Sequence, residues 1–139
     1  MIVEITIFDH PIDPRAPLPP EIVGRAGAVA EFTGLIRAEE NGRLIGALDY
    51  EAYQPMAEHT MRALAEDLGA RHPCLFLRVV HRIGTVPVGE AAIHIIAASA
   101  HRAAALGLVA DFMDRLKQDV PIWKIRALAP NRQPLPAAP

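Results

Sequence analysis

Two lysines in the last third of the chain are the residues best suited to proton-transfer or covalent chemistry. Lys117 ends a helical repeat, and Lys124 lies in a strand-like run, 122–126, with Pro121 between them. An amine becomes a base or a nucleophile when burial or a second nearby cation lowers the pKa of its ammonium form. Because a turn at the proline can bring the two amines together, their spacing is compatible with a catalytic pair.

The same lysines also have an ordinary structural interpretation, which the spacing alone favours. A lysine in the last turn of a helix interacts well with the helix dipole, and a lysine on an edge strand discourages aggregation. Period-two alternation predicts that Lys124 and Arg126 share one face of their strand. Trp123, on the other face, is expected to be a core aromatic that holds the strand onto the helix.

A second polar cluster precedes the helix that Lys117 ends. Ser99 is predicted at its N-cap, which places His101 and Arg102 in the first turn. There the free backbone N–H groups and the helix dipole favour an anion, so the cluster predicts a seat for a phosphate. Polar residues in a first turn more often only meet solvent. Since the net charge is −2, nothing global attracts nucleic acid or an anionic membrane, and any anion site must be local.

The elements that must position these side chains follow from the spacing of apolar residues. Runs of apolar and β-branched residues predict five strands, at 2–8, 26–36, 47–53, 75–81 and 91–98. Turn residues at 84–89 separate the last two of these strands and indicate an antiparallel hairpin.

Helical spacing occurs in two stretches, 55–69 and 101–118. Their apolar repeats are Ala57, Met61, Leu64 and Leu68 in the first, and Leu106, Val109, Met113 and Leu116 in the second. Pro121 prevents continuation of the second helix. Helices interspersed with hairpin-linked strands predict an α+β fold, with helices packed on an antiparallel sheet, rather than a doubly wound parallel sheet.

Length and composition bound the class of protein. A chain of 139 residues is expected to form one domain, 1–139, in which the proline-rich end, 130–139, is a flexible tail. Hydrophobic residues make up 51% and charged residues 22%, which argues against a disordered or fibrous chain. The first residues lack the pattern of a secretory signal, and no run approaches the roughly 18 apolar residues of a membrane span. The sequence therefore predicts a cytoplasmic protein.

Six motifs in order carry a family resemblance. They are AVAEFTGLIR at 28–37, LDYEAY at 48–53 followed by Met56-Ala57, VHRIG at 80–84, VGE at 88–90, SAHR at 99–102, and Lys117-x3-Pro121-Ile122-Trp123-Lys124. In these residues and their approximate spacing the chain resembles the large, catalytic subunits of molybdopterin synthases, over about 2–127.

The resemblance implies an α/β-hammerhead type of α+β fold that dimerises through its sheet. A small ubiquitin-like sulfur-carrier subunit would dock at each outer end and thread its C-terminal thiocarboxylate into a pocket. Two sulfur transfers to cyclic pyranopterin monophosphate would then give the ene-dithiolate of molybdopterin. The resemblance implies no cofactor, no metal, and neither nucleic acid nor membrane as a partner.

Roles for individual residues also come from the resemblance. Lys117 and Lys124 would be the essential lysines, with Lys117 nearer the thiocarboxylate and Lys124 stabilising charge on the pterin side. The positions that match the family's substrate site are Leu35, Ile36, Arg37, His101, Arg102, Ile125 and Arg126. Of these, Arg37, His101 and Arg102 would hold the phosphate and pterin, partly across the dimer interface.

The chain departs from the family in several places, and the departure nearest the lysines involves two residues. After Trp123-Lys124 a basic residue and a glutamate are usual, and this chain has Ile125 and Arg126. Two alternatives to an active synthase therefore remain: a non-catalytic homologue that dimerises and binds the carrier, or a small-anion or nucleotide-binding α+β module.

Overall fold

The protein, described here by a computed structural model for residues 1–137, has nine strands and two long helices. The strands are β1 (Ile2–Phe8), β2 (Ala28–Leu35), β3 (Glu39–Glu40), β4 (Arg43–Leu44), β5 (Ala47–Ala52), β6 (Phe76–Arg82), β7 (Gly84–Pro87), β8 (Ala91–Ser99) and β9 (Ile122–Leu128). The helices are α1 (Gln54–Arg71) and α2 (Arg102–Asp119), and a short 3-10 turn spans Pro20–Ile22.

The main sheet has four strands in the order β1-β6-β8-β2 and carries both helices. This confirms the α+β prediction. The sheet is mixed rather than purely antiparallel, since β1 pairs with β6 in parallel while β8 is antiparallel to both β6 and β2. The parallel pair is possible because the long connection from β1 to β6 includes α1, which crosses over the sheet.

A smaller sheet, in the order β7-β5-β9, lies beside the first, and β3 and β4 form a separate two-stranded ribbon. The predicted antiparallel relation of β6 and β8 is confirmed. Their connection is more than a turn, however, because residues 84–87 form β7 and pair with β5. Alternation cannot reveal this short strand, since Gly84 and Pro87 are themselves turn residues.

The core between the helices and the main sheet follows the predicted repeats closely in α1 and less closely in α2. Ala57, Met61, Leu64 and Leu68 of α1 are all buried. In α2 the buried residues include Leu108 and Phe112, whereas Leu106, predicted to face the core, is 60% exposed. The apolar stripe of α2 is therefore rotated from the predicted one.

The chain end folds back onto β9. The backbone N–H of Leu135 donates to the carbonyl oxygen of Ala127, and Leu135 packs against Leu48 and its neighbours. The proline-rich end predicted to be flexible thus makes specific contacts up to Pro136, whose carbonyl oxygen accepts a hydrogen bond from Arg43, while residues 138 and 139 lie outside the described part. No helix within 1–137 has both the length and the apolar character that crossing a membrane demands.

Candidate functional site

A cavity of about 410 Å³ opens where the C-terminal end of α2 meets the ends of both sheets. The residues that line it come from α2, from both sheets and from the segment after α2: Phe32, Gly34, Leu35, Tyr50, His81, Ala92, Ile93, Met113, Leu116, Lys117, Ile122, Trp123 and Lys124. Apolar walls with a few convergent polar groups are typical of small-molecule sites.

Both lysines of the chain, which has only these two, line this cavity. Lys117 projects from the last turn of α2, and its amine makes no ion pair with any residue between 1 and 137. The turn at Pro121 is held by a hydrogen bond from the N–H of Tyr53 to the Pro121 carbonyl oxygen, 3.1 Å. This anchor directs β9 back along the cavity and brings Lys124 to the same opening as Lys117.

Lys124 is held by an acidic partner. Its Nζ donates to Oε1 of Glu40 at 2.9 Å, and Glu40 itself is largely covered. Burial and the negative charge of Glu40 together raise the pKa of the Tyr50 hydroxyl, which is therefore protonated at neutral pH. The cavity thus combines one unpaired ammonium, one paired ammonium and a neutral phenol.

His81 forms the floor of the cavity on the helix side of β6. Burial lowers the pKa of its imidazole, against a smaller opposite effect of the hydrogen bond to the Arg82 carbonyl. Its ring meets the ring of Tyr50 edge-on, with the centroids 5.7 Å apart. At neutral pH the cavity therefore contains a neutral histidine beside two cationic lysines.

Arg126 does not share the face of Lys124, so the prediction from strand alternation is wrong. Lys124 pairs with Tyr50 and Arg126 pairs with Asp49, which leaves Ile125 as the extra residue of a β-bulge. Since Asp49 and Tyr50 are consecutive on β5, their side chains point to opposite faces, and the partners on β9 follow them. Arg126 is consequently turned away from the lysine cavity.

Arg126 instead belongs to a small polar cluster on the far side of β5. Its Nε donates to Oδ2 of Asp49 at 2.6 Å, and the Thr85 hydroxyl donates to Oδ1 at 2.6 Å. Burial alone would raise the pKa of the Asp49 carboxyl, but these two hydrogen bonds and the charge of Arg126 outweigh it and lower the pKa. Ile125 is 53% exposed beside this cluster and, together with Glu40, Lys124 and Arg126, lines a second depression of about 270 Å³.

The three predicted substrate residues at the end of β2 separate in space. Leu35 lines the lysine cavity and is exposed. Ile36 is buried in a small core with Ile45, Leu48 and Val86, and both its backbone groups bond to the loop at 89–90. Arg37 is exposed and borders a neighbouring surface depression rather than the cavity itself.

Trp123 is placed differently from the prediction of a core aromatic. It is 44% exposed and lines the mouth of the cavity. β9 is an edge strand of the three-stranded small sheet. An indole at that position is available to a ligand or a partner.

His101 and Arg102 lie at the opposite end of α2 from Lys117. The 18-residue helix separates Arg102 from Lys117 by a rise of about 22 Å. Both side chains are exposed, so within one protomer they do not belong to the lysine cavity.

The predicted N-cap is also corrected, because the N-cap is His101. Ser99 is still in β8 and fully buried. Its hydroxyl accepts a hydrogen bond from the N–H of Ala105 at 3.1 Å and donates to the His101 carbonyl oxygen at 2.5 Å. Ser99 thus ties the start of α2 to the sheet, although it lies outside the helix boundary.

Two other features of the described residues do not compete with the lysine cavity. A larger concavity of about 600 Å³ lies between β1, β6 and the loop at 10–16, but its main cation, Arg78, is engaged by Glu4 and two backbone carbonyls. Within residues 1–137, no three His, Cys, Asp or Glu side chains are grouped in a way that could hold a metal ion.

Two polar residues that line the cavity, and one that pairs with Lys124, were not among the predicted site residues. Tyr50 and His81 both lie in motifs noted above, LDYEAY and VHRIG, and the presence of an ionisable aromatic side chain in each motif is a usable signal. Glu40 stands in a polar run after β2, and nothing in the local sequence indicates that it faces Lys124.

Comparisons with known proteins identify the relatives of this chain. A family model described as "MoaE protein" matches residues 7–119. The molybdopterin synthase catalytic subunit of Homo sapiens is 46% identical over 98 residues, which cover 70% of this chain and 52% of that protein. The corresponding subunit of Oryza sativa subsp. indica is 42% identical over 99 residues, 71% of this chain and 51% of that protein. The chain thus spans about half the length of these curated relatives.

Among solved structures, molybdopterin synthase from Staphylococcus aureus superposes with a TM-score of 0.78 at 31% identity. The match covers 88% of this chain and 89% of that one.

Proposed function

The chain belongs to the MoaE protein family, and we propose that it is the catalytic subunit of a molybdopterin synthase. In this role it transfers sulfur from the C-terminal thiocarboxylate of a small ubiquitin-like carrier subunit to cyclic pyranopterin monophosphate. The observation that carries the proposal is the convergence of Lys117 and Lys124, from different elements, on one cavity of about 410 Å³. The reaction is assigned to the cytoplasm, as expected from the sequence.

The two lysines have different surroundings, and this supports different roles. Lys117 has no carboxylate partner among residues 1–137, so its ammonium is free to attract the thiocarboxylate and to stabilise the charge that develops as sulfur moves. Lys124 is positioned by Glu40 and lies on the β9 side of the cavity, where it stabilises charge on the pterin.

The carrier subunit is proposed to dock around the cavity mouth. Large apolar side chains are exposed there or on the adjoining elements: Leu35, Tyr53, Met56, Trp123 and Ile125. Exposed apolar side chains in such number mark interaction surfaces more often than isolated ones do. A carrier seated on them would reach the lysines with an extended C-terminal segment.

A homodimer is proposed to complete the site. β2 is an edge of the main sheet and exposes Val29, Phe32 and Leu35. The start of β2 lies beside Ser99, near His101 and Arg102, whereas its end, at Leu35, lies at the lysine cavity. If β2 pairs with its copy about a two-fold axis, the start of one strand lies beside the end of the other. The partner's Arg102 would then approach Lys117, although the two are far apart within one protomer.

Reconstitution tests the proposed function directly. The purified chain, a carrier bearing a C-terminal thiocarboxylate, and cyclic pyranopterin monophosphate are mixed, and molybdopterin is measured. Formation of the dithiolene at the expense of the thiocarboxylate is the expected result. Binding of the carrier without conversion would instead identify a non-catalytic homologue. A chain that neither binds the carrier nor converts the substrate would leave only the small-anion module.

A further inference from the structure

His81 is an ionisable side chain of the lysine cavity to which neither the resemblance nor the proposed mechanism gives a role. It lies on the helix side of β6, opposite Ile93 of β8 and Ile7 of β1, and is only 5% exposed. The small exposed part opens into the cavity, whose lining includes His81 together with Lys117 and Lys124. The sulfur transfer proposed above requires a side chain that can accept a proton.

The tautomer of His81 follows from its hydrogen bond. Nδ1 lies 2.8 Å from the carbonyl oxygen of Arg82. A carbonyl oxygen only accepts, so Nδ1 carries the proton, and in the neutral ring Nε2 is the bare nitrogen. Nε2 accepts no hydrogen bond from any residue in the described chain. The ring is thereby fixed with an unused proton acceptor at the cavity.

The proposed sulfur transfer has a proton that must be removed. Once the sulfur of the carrier is bonded to a substrate carbon, the carrier's acyl carbon and the substrate are joined as a thioester. Release of the carrier requires water to form a C–O bond at that carbon while the C–S bond breaks and its electron pair stays on sulfur. The products are a carboxylate, a thiolate and two protons, with no change in oxidation state.

The ammonium groups of Lys117 and Lys124 cannot accept a proton, and the Tyr50 hydroxyl is protonated because its pKa is raised. Resting on the proposed function, we propose that Nε2 of His81 is the general base for this hydrolysis and takes a proton from the attacking water. His81 is then a catalytic residue of the second half of each sulfur transfer. The second proton leaves from the new carboxyl group to solvent.

The surroundings of His81 determine the direction in which the pKa of its imidazole is shifted. The Tyr50 ring meets it from β5, Lys117 of α2 and Lys124 of β9 line the same cavity, and the carboxylate of Glu40 pairs with Lys124. Burial favours the neutral ring and lowers the pKa of His81, against the smaller opposite effect of the hydrogen bond to the Arg82 carbonyl. The base is therefore ready at neutral pH and is lost by protonation only below the ordinary range of a histidine.

Two substitutions distinguish the role of His81 as a base from its role as a hydrogen-bond donor to the Arg82 carbonyl. In His81→Asn an amide N–H replaces the Nδ1 donor to Arg82, and in His81→Gln an amide reaches the Nε2 position without being basic. His94→Asn is the matched control, because His94 is equally buried in the neighbouring strand but lies outside the cavity lining. Unfolding temperature and carrier binding are measured for all three variants.

Single-turnover reactions with thiocarboxylated carrier and cyclic pyranopterin monophosphate are run in H₂¹⁸O across a range of pH. In the wild type, ¹⁸O is expected in the carrier's C-terminal carboxylate, and the rate of its release should fall at acid pH as His81 protonates. Both His81 variants should release carrier roughly 100-fold more slowly, accumulate the thioester seen by mass spectrometry, and lose the acid limb. The His94 variant should retain that limb.

Several results would overturn the assignment. A wild type that converts substrate but leaves no ¹⁸O on the carrier, or shows no acid limb, removes the base while the synthase function stands. These two measurements need no variant, so they can reject the assignment even if the His81 variants fail to fold. Folded His81 variants with the parental rate and pH profile also reject it. A wild type without any conversion rejects both the synthase function and the base.

Discussion

Asp49 and Arg126 form an ion pair across β5 and β9, with 2.6 Å between Oδ2 and Nε, at the register where Ile125 has no partner. The bulge turns the guanidinium towards a carboxylate that is almost fully buried and away from the lysine cavity. The position that departs from the family pattern is thus tied to an acid on the adjacent strand, and the electrostatics around Lys124 depend on Glu40 instead.

Arg126→Glu is expected to lower stability rather than to retune the lysines. It removes the donor to Asp49 and places a second carboxylate beside it. We expect a loss of about 1–2 kcal/mol in the free energy of unfolding at pH 7, discounted because the guanidinium is half exposed. Urea denaturation measures the loss, with Arg126→Met as the control that removes the donor without adding a charge. An Arg126→Glu protein as stable as the wild type would contradict the importance of the pair.

The same variant has a defined pH dependence. The lowered pKa of Asp49 contributes stability at pH values above the unfolded value, near 4, and that contribution disappears as pH falls through the folded value. In Arg126→Glu the pKa of Asp49 should rise instead, because burial and like charge both favour the neutral acid. The stability deficit should therefore be largest near neutral pH and shrink below about pH 4. The pH profile of sulfur transfer should not move, whereas a shift would place Arg126 in electrostatic contact with the lysines.

Lys117→Ala and Lys124→Ala should each fold normally and lose sulfur transfer, by roughly 100-fold or more, because each removes a cation that stabilises developing charge. Conversion under single-turnover conditions is the measurement. Arg71→Ala is the matched control, since Arg71 is also an exposed cation in the last turn of a long helix. It should cost at most about 1 kcal/mol of stability and no activity. Near-parental conversion in both lysine variants would leave them with the structural role only.

Mixing two impaired proteins, assayed at a substrate concentration well below saturation, tests whether one site uses two protomers. In a dimer of Lys117→Ala with Arg102→Ala, one of the two sites regains both wild-type residues and the other lacks both. Random exchange should restore about one quarter of the wild-type activity, given a closed two-fold dimer. Conversion is followed after the subunits are allowed to exchange, with each variant alone as the control. Failure to recover activity in verified mixed dimers would place Arg102 outside the partner's site.

Arg37→Ala should weaken the binding of the pterin phosphate with a small effect on the rate at saturation. A charge-assisted hydrogen bond contributes about 1.5–3 kcal/mol, so the apparent affinity should fall by roughly 10- to 100-fold. The dependence of conversion on substrate concentration measures it, and Arg15→Ala, an exposed arginine paired locally with Asp13, is the control. An unchanged apparent affinity would remove Arg37 from the substrate site, in keeping with its place beside rather than within the cavity.

Local patterns in the sequence determined a large part of this protein. The apolar repeat of α1 is buried as predicted, because each of its residues follows the helical period and Pro55 suits the first turn. Both lysines lie where the proline break between helix and strand suggested, at one cavity. These features depend on residues close in the chain, whose geometry is set by backbone periods and by the constraints of proline.

Only the tertiary structure decided which side chains face one another. The bulge at Ile125 follows from the register of β9 against β5, a pairing of distant segments, and it reversed the predicted face of Arg126. The approach of Glu40 to Lys124 and the position of His81 on the cavity floor also arise from long-range pairing. The exposure of Trp123 has the same origin, because β9 lies at the edge of a three-stranded sheet. Strand register cannot be predicted from a local sequence pattern, because one extra residue in a strand moves every following side chain to the other face.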